Sequence, residues 1–382
     1  MDVTGIICEY NPFHLGHQKQ IDYIKAAKPD GGIVCLMSGN YVQRGAPAIL
    51  DKSLRAQAAV ECGADLVLEL PVTASLSSAE GFAQEGVRIL GGFCNALCFG
   101  AETADKDTLL ATAEALLSDR FPAALHRELD KGLSFPAARQ AALEAMGLEG
   151  DTLTLPNDIL ATEYCKAILQ QGVEMEPMPI LRQGSYHDTQ ADNQNPSATA
   201  VRELMLKQSP YSEYIPCKAY DIFSNAALHS LAAGEQAIAY RLRTITDEEF
   251  EALPYGSEGL WRKLMQNART HTTLEEIVTA TKSKRYTRTR LDRMVMCAFL
   301  GITAEDIASP APYARVLAFN TKGREILKKA RQAGLFPNAG ESVEHPYQEL
   351  ENRVGRLYSL FALCGNEAPF DEGDRRIFYK AD

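Results

Sequence analysis

Tryptophan is the scarcest residue in this chain, with one copy, and only seven histidines occur in 382 residues. No stretch approaches the roughly 20 consecutive apolar residues that a membrane span requires, so no membrane partner is expected. No CxxC pair occurs. The nine cysteines, at positions 8, 35, 62, 94, 98, 165, 217, 297 and 364, are odd in number and lie mostly in apolar runs. A disulfide framework or a zinc site is therefore not expected; buried, reduced thiols in a cytoplasmic protein are. Residues 1–10 lack the basic start of a secretory signal, which agrees with that setting. Neither an internal repeat nor a low-complexity tract is present, and no carboxylate cluster suggests a metal held by the protein. Positive charge is also short: the formal net charge is −11. A uniformly acidic surface repels nucleic acid, so any such partner needs a local basic patch.

What is present reads as an ordinary globular protein, 46% hydrophobic and 23% charged, and long enough for two domains. The runs "VTGIIC" (3–8), "GGIVCLM" (31–37), "DLVLEL" (65–70), "NALCFG" (95–100) and "EPMPIL" (176–181) read as buried strands. Helical patterns lie between them at 14–28, 51–63 and 76–90, with a longer helical region over 105–148. Strand–helix alternation with near-continuous apolar strands predicts an α/β fold, a doubly wound Rossmann-like parallel sheet with its ligand crevice at the carboxyl ends of the strands. A further helix opens near Asn157 and should close at Gly172. Beyond about residue 220 helical patterns dominate, apart from the strand-like "ARVLAF" (314–319). The expected division is a catalytic domain over 1–220 and a mostly α-helical domain over 221–382.

The stretch "GIICEYNPFHLGHQKQ" (5–20) places two of the seven histidines three residues apart, where the first strand passes into a helix. His14 and His17 then leave one face of the first turn, and Gly16 between them lets a ligand approach the backbone. Helix N-termini present unsatisfied N–H groups and partial positive charge, which suits phosphate. Imidazoles there can donate to phosphate oxygens as charge builds. The second element is "SATAVRE" (197–203). Its hydroxyls and the Arg202 guanidinium at a helix start form a phosphate cradle.

The HLGH block resembles the signature of the HIGH superfamily of nucleotidyltransferases and class I aminoacyl-tRNA synthetases. "SATAVRE" resembles the ISSTxxR signature of the nucleotidyltransferase branch. Together with "SGNYVQRGAPAILDK", "GADLVLELP", "LPNDILATEY", "YHD" and "KRYTRTRLDRM", the order and spacing resemble the tRNA(Met) cytidine acetate ligase family. That resemblance implies activation of acetate by ATP to acetyl-adenylate, then acetylation of the wobble cytidine of elongator tRNA(Met) to N(4)-acetylcytidine. It implies an ATP site over Ile7, Cys8, Glu9, Tyr10, Asn11, Pro12, Phe13, His14, Leu15, Gly16, His17, Gln18, Lys19 and Gln20. Gly100, Asn157 and Arg182 would complete it, with Ser197, Thr199 and Arg202 on the triphosphate tail. His14, His17 and Arg202 would be catalytic, and Mg2+ would travel with ATP.

Asn40, Gln43 and Arg44, in the loop after the second strand, are candidates to read a substrate, and Glu9 beside the histidines is a candidate to meet a ribose or an amine. His187 could assist. Residues 262–293 hold nine Lys or Arg against three acids, a local charge of +6 that leaves the rest of the chain at −17. Such a sign reversal is the footprint of a polyanion partner. Lys282, Lys284, Arg285, Tyr286, Arg288, Arg290 and Arg293 are the expected tRNA contacts, with Tyr286 able to stack on a base. "TKSKR" (281–285) matches the lysine–serine signature of class I synthetases poorly and is assigned no catalysis. Two alternatives share these features: an adenylyltransferase of the same superfamily acting on a phosphate-bearing metabolite, and a non-catalytic RNA-binding protein.

Overall fold

The structure is a computed structural model that describes residues 1–148, 153–182, 197–283, 285–334, 337–338, 345–364, 367–369 and 371–381. Its first strand, β1 (Val3–Cys8), is buried along its whole length. α1 (Leu15–Ala27) leads to β2 (Gly32–Ser38), parallel to β1. A small hairpin, β3 (Tyr41–Val42) and β4 (Ala46–Pro47), precedes α2 (Lys52–Glu61), and β5 (Leu66–Leu70) pairs with the far side of β2. α3 (Val72–Ser75) and α4 (Ala79–Leu90) carry the chain back to β6 (Ala96–Ala101), on the other side of β1. α5 (Lys106–Leu117), α6 (Phe121–Asp130), α7 (Phe135–Ala145) and α8 (Pro156–Gln171) then lead to β7 (Glu176–Leu181). The order β5-β2-β1-β6-β7 is parallel throughout, and the winding reverses between β1 and β6. At such a reversal the crossovers diverge and leave a crevice beyond the strand ends.

Alternation along the strands divides the interior in two. Val3, Ile7, Val34, Leu36, Leu66 and Leu68 pack in one cluster with residues of α4, α5 and α8. Ile6, Cys8, Ile33, Cys35, Met37 and Val67 face the opposite cluster, with residues of α1 and α2 and with Ala219 and Phe223. Seven of the nine cysteines are buried as free thiols; Cys217 and Cys364 are exposed.

One expectation about the sheet is corrected. β7 is an edge strand with Glu176 and Leu181 exposed, not a buried one. Pro177 and Pro179 lack the N–H that a second neighbour would need, so the sheet stops there. The helical region 105–148 is three helices, because Ser118 and the Gly132 turn, at φ 84°, interrupt it.

The rest of the chain forms α9 (Ala198–Leu206), α10 (Cys217–Phe223), α11 (Glu235–Thr244), α12 (Asp247–Glu251), α13 (Leu260–Thr270), α14 (Leu274–Thr281), α15 (Arg288–Leu300) and α16 (Ala304–Ala308). Then come β8 (Ala314–Asn320), α17 (Thr321–Gln332), β9 (Pro337–Asn338), α18 (Pro346–Tyr358) and β10 (Phe378–Lys380). Helices α11 to α15 and α18 share a third cluster, into which Tyr41, Val72 and Leu76 insert. β8 pairs antiparallel with β5, and β10 adds to β8. Strands from beyond residue 220 thus complete the sheet that the first 181 residues begin. Among the described residues no helix is long and apolar enough to cross a membrane.

A buried ion cluster fastens this returning segment. Lys52 Nζ lies 2.7 Å from Glu69 and 2.8 Å from Glu372, and Arg375 reaches Asp51 at 2.7 Å. Arg315 pairs with Glu351 at 2.9 Å. Burial, partly offset by Lys52, pushes the Glu69 carboxyl up to about 6. Removing one partner of such a cluster leaves the others buried and uncompensated. Lys52→Met keeps the aliphatic stem but not the charge, and it should destabilise the protein by about 3–5 kcal/mol in urea denaturation.

Candidate active site

His14 is the N-cap of α1 and His17 its third residue, and together they close a capping box made of imidazoles. His14 Nδ1 accepts the Gly16 N–H at 3.0 Å, and His17 Nδ1 accepts the His14 N–H at 3.3 Å. A neutral ring that accepts at Nδ1 carries its proton on Nε2. Neither Nε2 has a hydrogen-bond partner among the described residues, so two N–H donors remain for a ligand. The rings stack with centroids 3.8 Å apart, and Tyr10 and Phe13 pack against His17 at 4.8 and 5.7 Å. A Cβ on Gly16 would come within 2.9 Å of the His14 ring, so glycine is what lets the imidazole fold back over the helix start.

Both rings are held neutral. Burial, reinforced by Arg182 and Arg202, lowers His14 from the ordinary histidine value to about 3. Burial, then His14 and Arg182, lowers His17 well below its ordinary value. The arginines enter from two other elements. Arg202, on α9, donates to the Asn11 carbonyl at 2.7 Å and to Thr199 Oγ1 at 3.0 Å, which fixes the guanidinium beside the histidine loop. Ser197 is buried and caps α9 by accepting the Ala200 N–H at 3.0 Å. Arg182, just beyond β7, donates to Asn157 Oδ1 at 2.8 Å.

Asn157 was expected to open its helix. Leu155 is the N-cap instead, with Pro156 in the first turn, and Asn157 bridges Arg182 and Glu102. Behind it lies a reciprocal clamp. Glu102 accepts the Asp158 N–H at 2.8 Å, while Asp158 accepts the N–H groups of Glu102 and Thr103 at 2.8 and 3.0 Å. The clamp binds the end of β6 to the start of α8 and holds Asn157 between Glu102 and Arg182. A Cβ on Gly100 would meet only Arg182, at 4.0 Å, so the protein's own packing leaves room above it.

Within the expected nucleotide run, the side chains of Ile7, Cys8, Tyr10 and Phe13 belong to the interior, and Asn11 Oδ1 holds the Ile49 N–H at 2.8 Å. Gln18 and Gln20 donate to the carbonyls of Cys62 and Cys98 at 3.0 and 3.1 Å. These residues can meet a nucleotide mainly through backbone groups. Asn40 is structural: its Oδ1 accepts the Lys52 N–H at 2.7 Å and its Nδ2 donates to Asp51 at 3.1 Å, so its amide holds the start of α2. The Gln43 N–H binds Glu9 Oε1 at 2.9 Å. His187 lies outside the described residues.

Arg55, fully buried, donates to the carbonyls of Glu9, Ser38, Gly39 and Leu50. It brackets the carboxyl ends of β1 and β2. Sequence reasoning missed Arg55, Glu102 and Asp158; "GAET" after a strand and "ND" behind Pro156 carried the only local sign of the clamp.

The basic segment is less free than its composition suggests. Arg288 pairs with Glu275 and Asp292 at 2.7 and 2.9 Å. Arg290 donates to the Tyr255 carbonyl at 2.8 Å and lies 4.8 Å over the Tyr286 ring, covering one face of it. Arg293 donates to the Gln43 carbonyl at 3.3 Å. Lys282 and Arg285 are exposed, Arg285 in a surface pair with Glu258 at 2.7 Å; Lys284 lies outside the described residues.

The family described as HIGH Nucleotidyl Transferase matches residues 1–368. A tRNA(Met) cytidine acetate ligase of Clostridium novyi is 38% identical over 88% of this chain and 89% of its own. One from Clostridium acetobutylicum is 34% identical over 99% of both. The crystal structure of Thermotoga maritima TmcAL in its apo form aligns over the whole of both chains with a TM-score of 0.90 at 28% identity. The same protein bound with alpha-thio ATP aligns over the same extent with a TM-score of 0.87.

The neutral histidine pair has a measurable consequence. His14 in the free protein should keep its neutral Cε1–H shift throughout an NMR titration from pH 8 to 5. The unfolded chain takes up that proton near the ordinary value of about 6.5. Stability contributed by the uncharged ring is therefore present above that value and is lost as pH falls toward the folded value of about 3.

Proposed function

The chain belongs to the HIGH nucleotidyl transferase family and, within it, to the tRNA(Met) cytidine acetate ligases, and on that footing we propose that it is an ATP-dependent acetate ligase. It activates acetate as acetyl-adenylate and transfers the acetyl group to the wobble cytidine of elongator tRNA(Met), giving N(4)-acetylcytidine. The observation that carries this reading is the convergence of two neutral imidazoles with Arg182 and Arg202 at the point where the sheet reverses.

In the first step an acetate oxygen attacks the α-phosphorus of ATP in line, and the bond to the bridging oxygen breaks to release pyrophosphate. The Nε2–H groups of His14 and His17 donate to the α-phosphate and bridging oxygens as charge accumulates there. Neutral donors suit the role, because they strengthen as the oxygens become more negative and have no proton to lose first. Ser197, Thr199 and Arg202 hold the departing phosphates, and Asn157 and Arg182 fix the nucleotide above Gly100. Mg2+ enters with ATP.

In the second step the cytidine amine attacks the acetyl carbonyl and AMP leaves. The amine is a weak nucleophile, and holding the base out of its stack supplies much of the rate. Lys282 and Arg285, exposed just ahead of α15, are the cations assigned in this reading to tRNA phosphates. A reducing, cytoplasmic setting belongs to the same reading and is supported by the seven buried thiols.

Acetate-dependent exchange of labelled pyrophosphate into ATP tests the activation step. Exchange that needs a phosphate-bearing metabolite instead of acetate would make the protein an adenylyltransferase. No exchange at all would leave an RNA-binding protein. His17→Ala should reduce exchange by at least about 100-fold while tRNA retention on filters persists. Changing Lys282 and Arg285 to Ala should lower tRNA affinity uniformly across sequences. The same pair of changes should reduce the slope of log affinity against log salt by about 1–2, with exchange intact.

A further inference from the structure

The acetyl transfer step needs a group that removes a proton from the acceptor amine, and the carboxylates around the crevice differ in their freedom to do so. Glu102 uses both oxygens on the N–H groups of Asn157 and Asp158. Asp158 uses both on Thr103 and one on Glu102 as well. Glu69 lies against Lys52 in the buried cluster. Glu9, the residue that follows β1, differs from all three. Its Oε1 accepts the Gln43 N–H at 2.9 Å, and its carbonyl is held by Arg55. Its Oε2 has no hydrogen-bond partner among the described residues, and the side chain is half-buried.

Its position separates it from the phosphates. The groups aimed at a triphosphate, His14, His17, Arg182 and Arg202, stand at α1, beyond β7 and on α9. Glu9 turns the other way, toward the loop that follows β2, on the opposite side of β1 from β6. An anionic oxygen on that side is disfavoured as a phosphate ligand and favoured by an N–H donor. The loop also leads outward. The Gln43 carbonyl accepts from Arg293 of α15, and Gly45 packs so closely on Asp292 and Arg293 that a Cβ there would overlap their backbone. One residue, Gln43, therefore joins the carboxylate to the helix behind the exposed Lys282 and Arg285. Its own side-chain amide is half-buried, with no hydrogen-bond partner among the described residues.

From this arrangement, and resting on the acetate ligase reading, we propose that Glu9 takes the proton from the acceptor amine and that Glu9 and Gln43 together recognise the amine edge of the acceptor base. The amine nitrogen bonds to the acetyl carbon while the bond from that carbon to the phosphate oxygen breaks, and AMP departs with the electron pair. The amine proton passes to Glu9 Oε2 and from there to water. A cytosine presents an N–H donor to Oε2 and an adjacent ring-nitrogen acceptor to the Gln43 amide. A uracil would set its carbonyl oxygen against the carboxylate, so the same pair rejects it.

Glu9→Gln separates these roles, because its amide oxygen still accepts the Gln43 N–H but cannot hold a proton. The two half-reactions are measured apart: acetate-dependent pyrophosphate exchange, and single-turnover transfer from enzyme-bound acetyl-adenylate to a tRNA(Met) transcript. Transfer should fall by at least about 100-fold and lose the acidic limb of its pH profile, while exchange falls less than about tenfold. A transcript with uridine at the acceptor position should compete at least about tenfold better against the variant, whose amide can donate to the uracil oxygen. A parallel fall of transfer and exchange overturns the proposal and returns Glu9 to the nucleotide site. Transfer at the wild-type rate, or unchanged competition by uridine, overturns it as well. Absence of exchange in the unaltered protein refutes the acetate ligase reading itself, so the two failures are distinct.

Discussion

The site depends on two backbone N–H groups, those of His14 and Gly16, each held by an imidazole nitrogen. Ordinary helix caps use a hydroxyl or a carboxylate for this purpose. A ring used instead has a second nitrogen on its far side, and the cap settles which nitrogen carries the proton. One local device thereby ends the loop after β1, starts α1 and orients two donors. The pull of the buried surroundings and of Arg182 and Arg202 against a charged ring completes the effect. The chemistry proposed for the first step follows from those protonation states rather than from any strongly basic group.

Around this cap each element contributes one fixed group and is itself fixed by buried polar contacts. Arg55 gathers four carbonyls at the ends of β1 and β2. The Glu102–Asp158 clamp does the same for β6 and α8. Arg202 ties α9 to the histidine loop. None of these groups need react. Their work is to hold His14, Asn157 and Arg182 within a few tenths of an ångström, the tolerance that positional catalysis demands.

The parallel sheet and the histidine cap at its crevice were legible because they rest on local patterns. Apolar runs of six residues alternate with amphipathic helices, and the HLGH spacing states a helix start directly. β7 was misread as buried because its apolar content says nothing about whether a neighbour follows; Pro177 and Pro179 did say it, through the N–H groups they lack. The basic segment is less free than its composition suggests for a related reason. Composition records nine cations but not that Arg288, Arg290 and Arg293 are engaged by partners up to 250 residues away in sequence. Arg55 and Lys52 were invisible because a buried cation looks like a solvated one until its distant partners are known.

The antiparallel pairing of β8 with β5 has a kinetic implication. β5 is complete by residue 70, yet the strand that covers its open edge lies beyond residue 313, and the ion pair between Asp51 and Arg375 closes a loop of more than 300 residues. While the chain emerges from the ribosome, β1, β2, β6 and β7 can assemble around the crevice from nearby sequence. Throughout that interval β5 exposes a bare row of amide and carbonyl groups to any other strand. The nascent protein is thus vulnerable along one border of its sheet until the segment beyond residue 313 emerges to shield it.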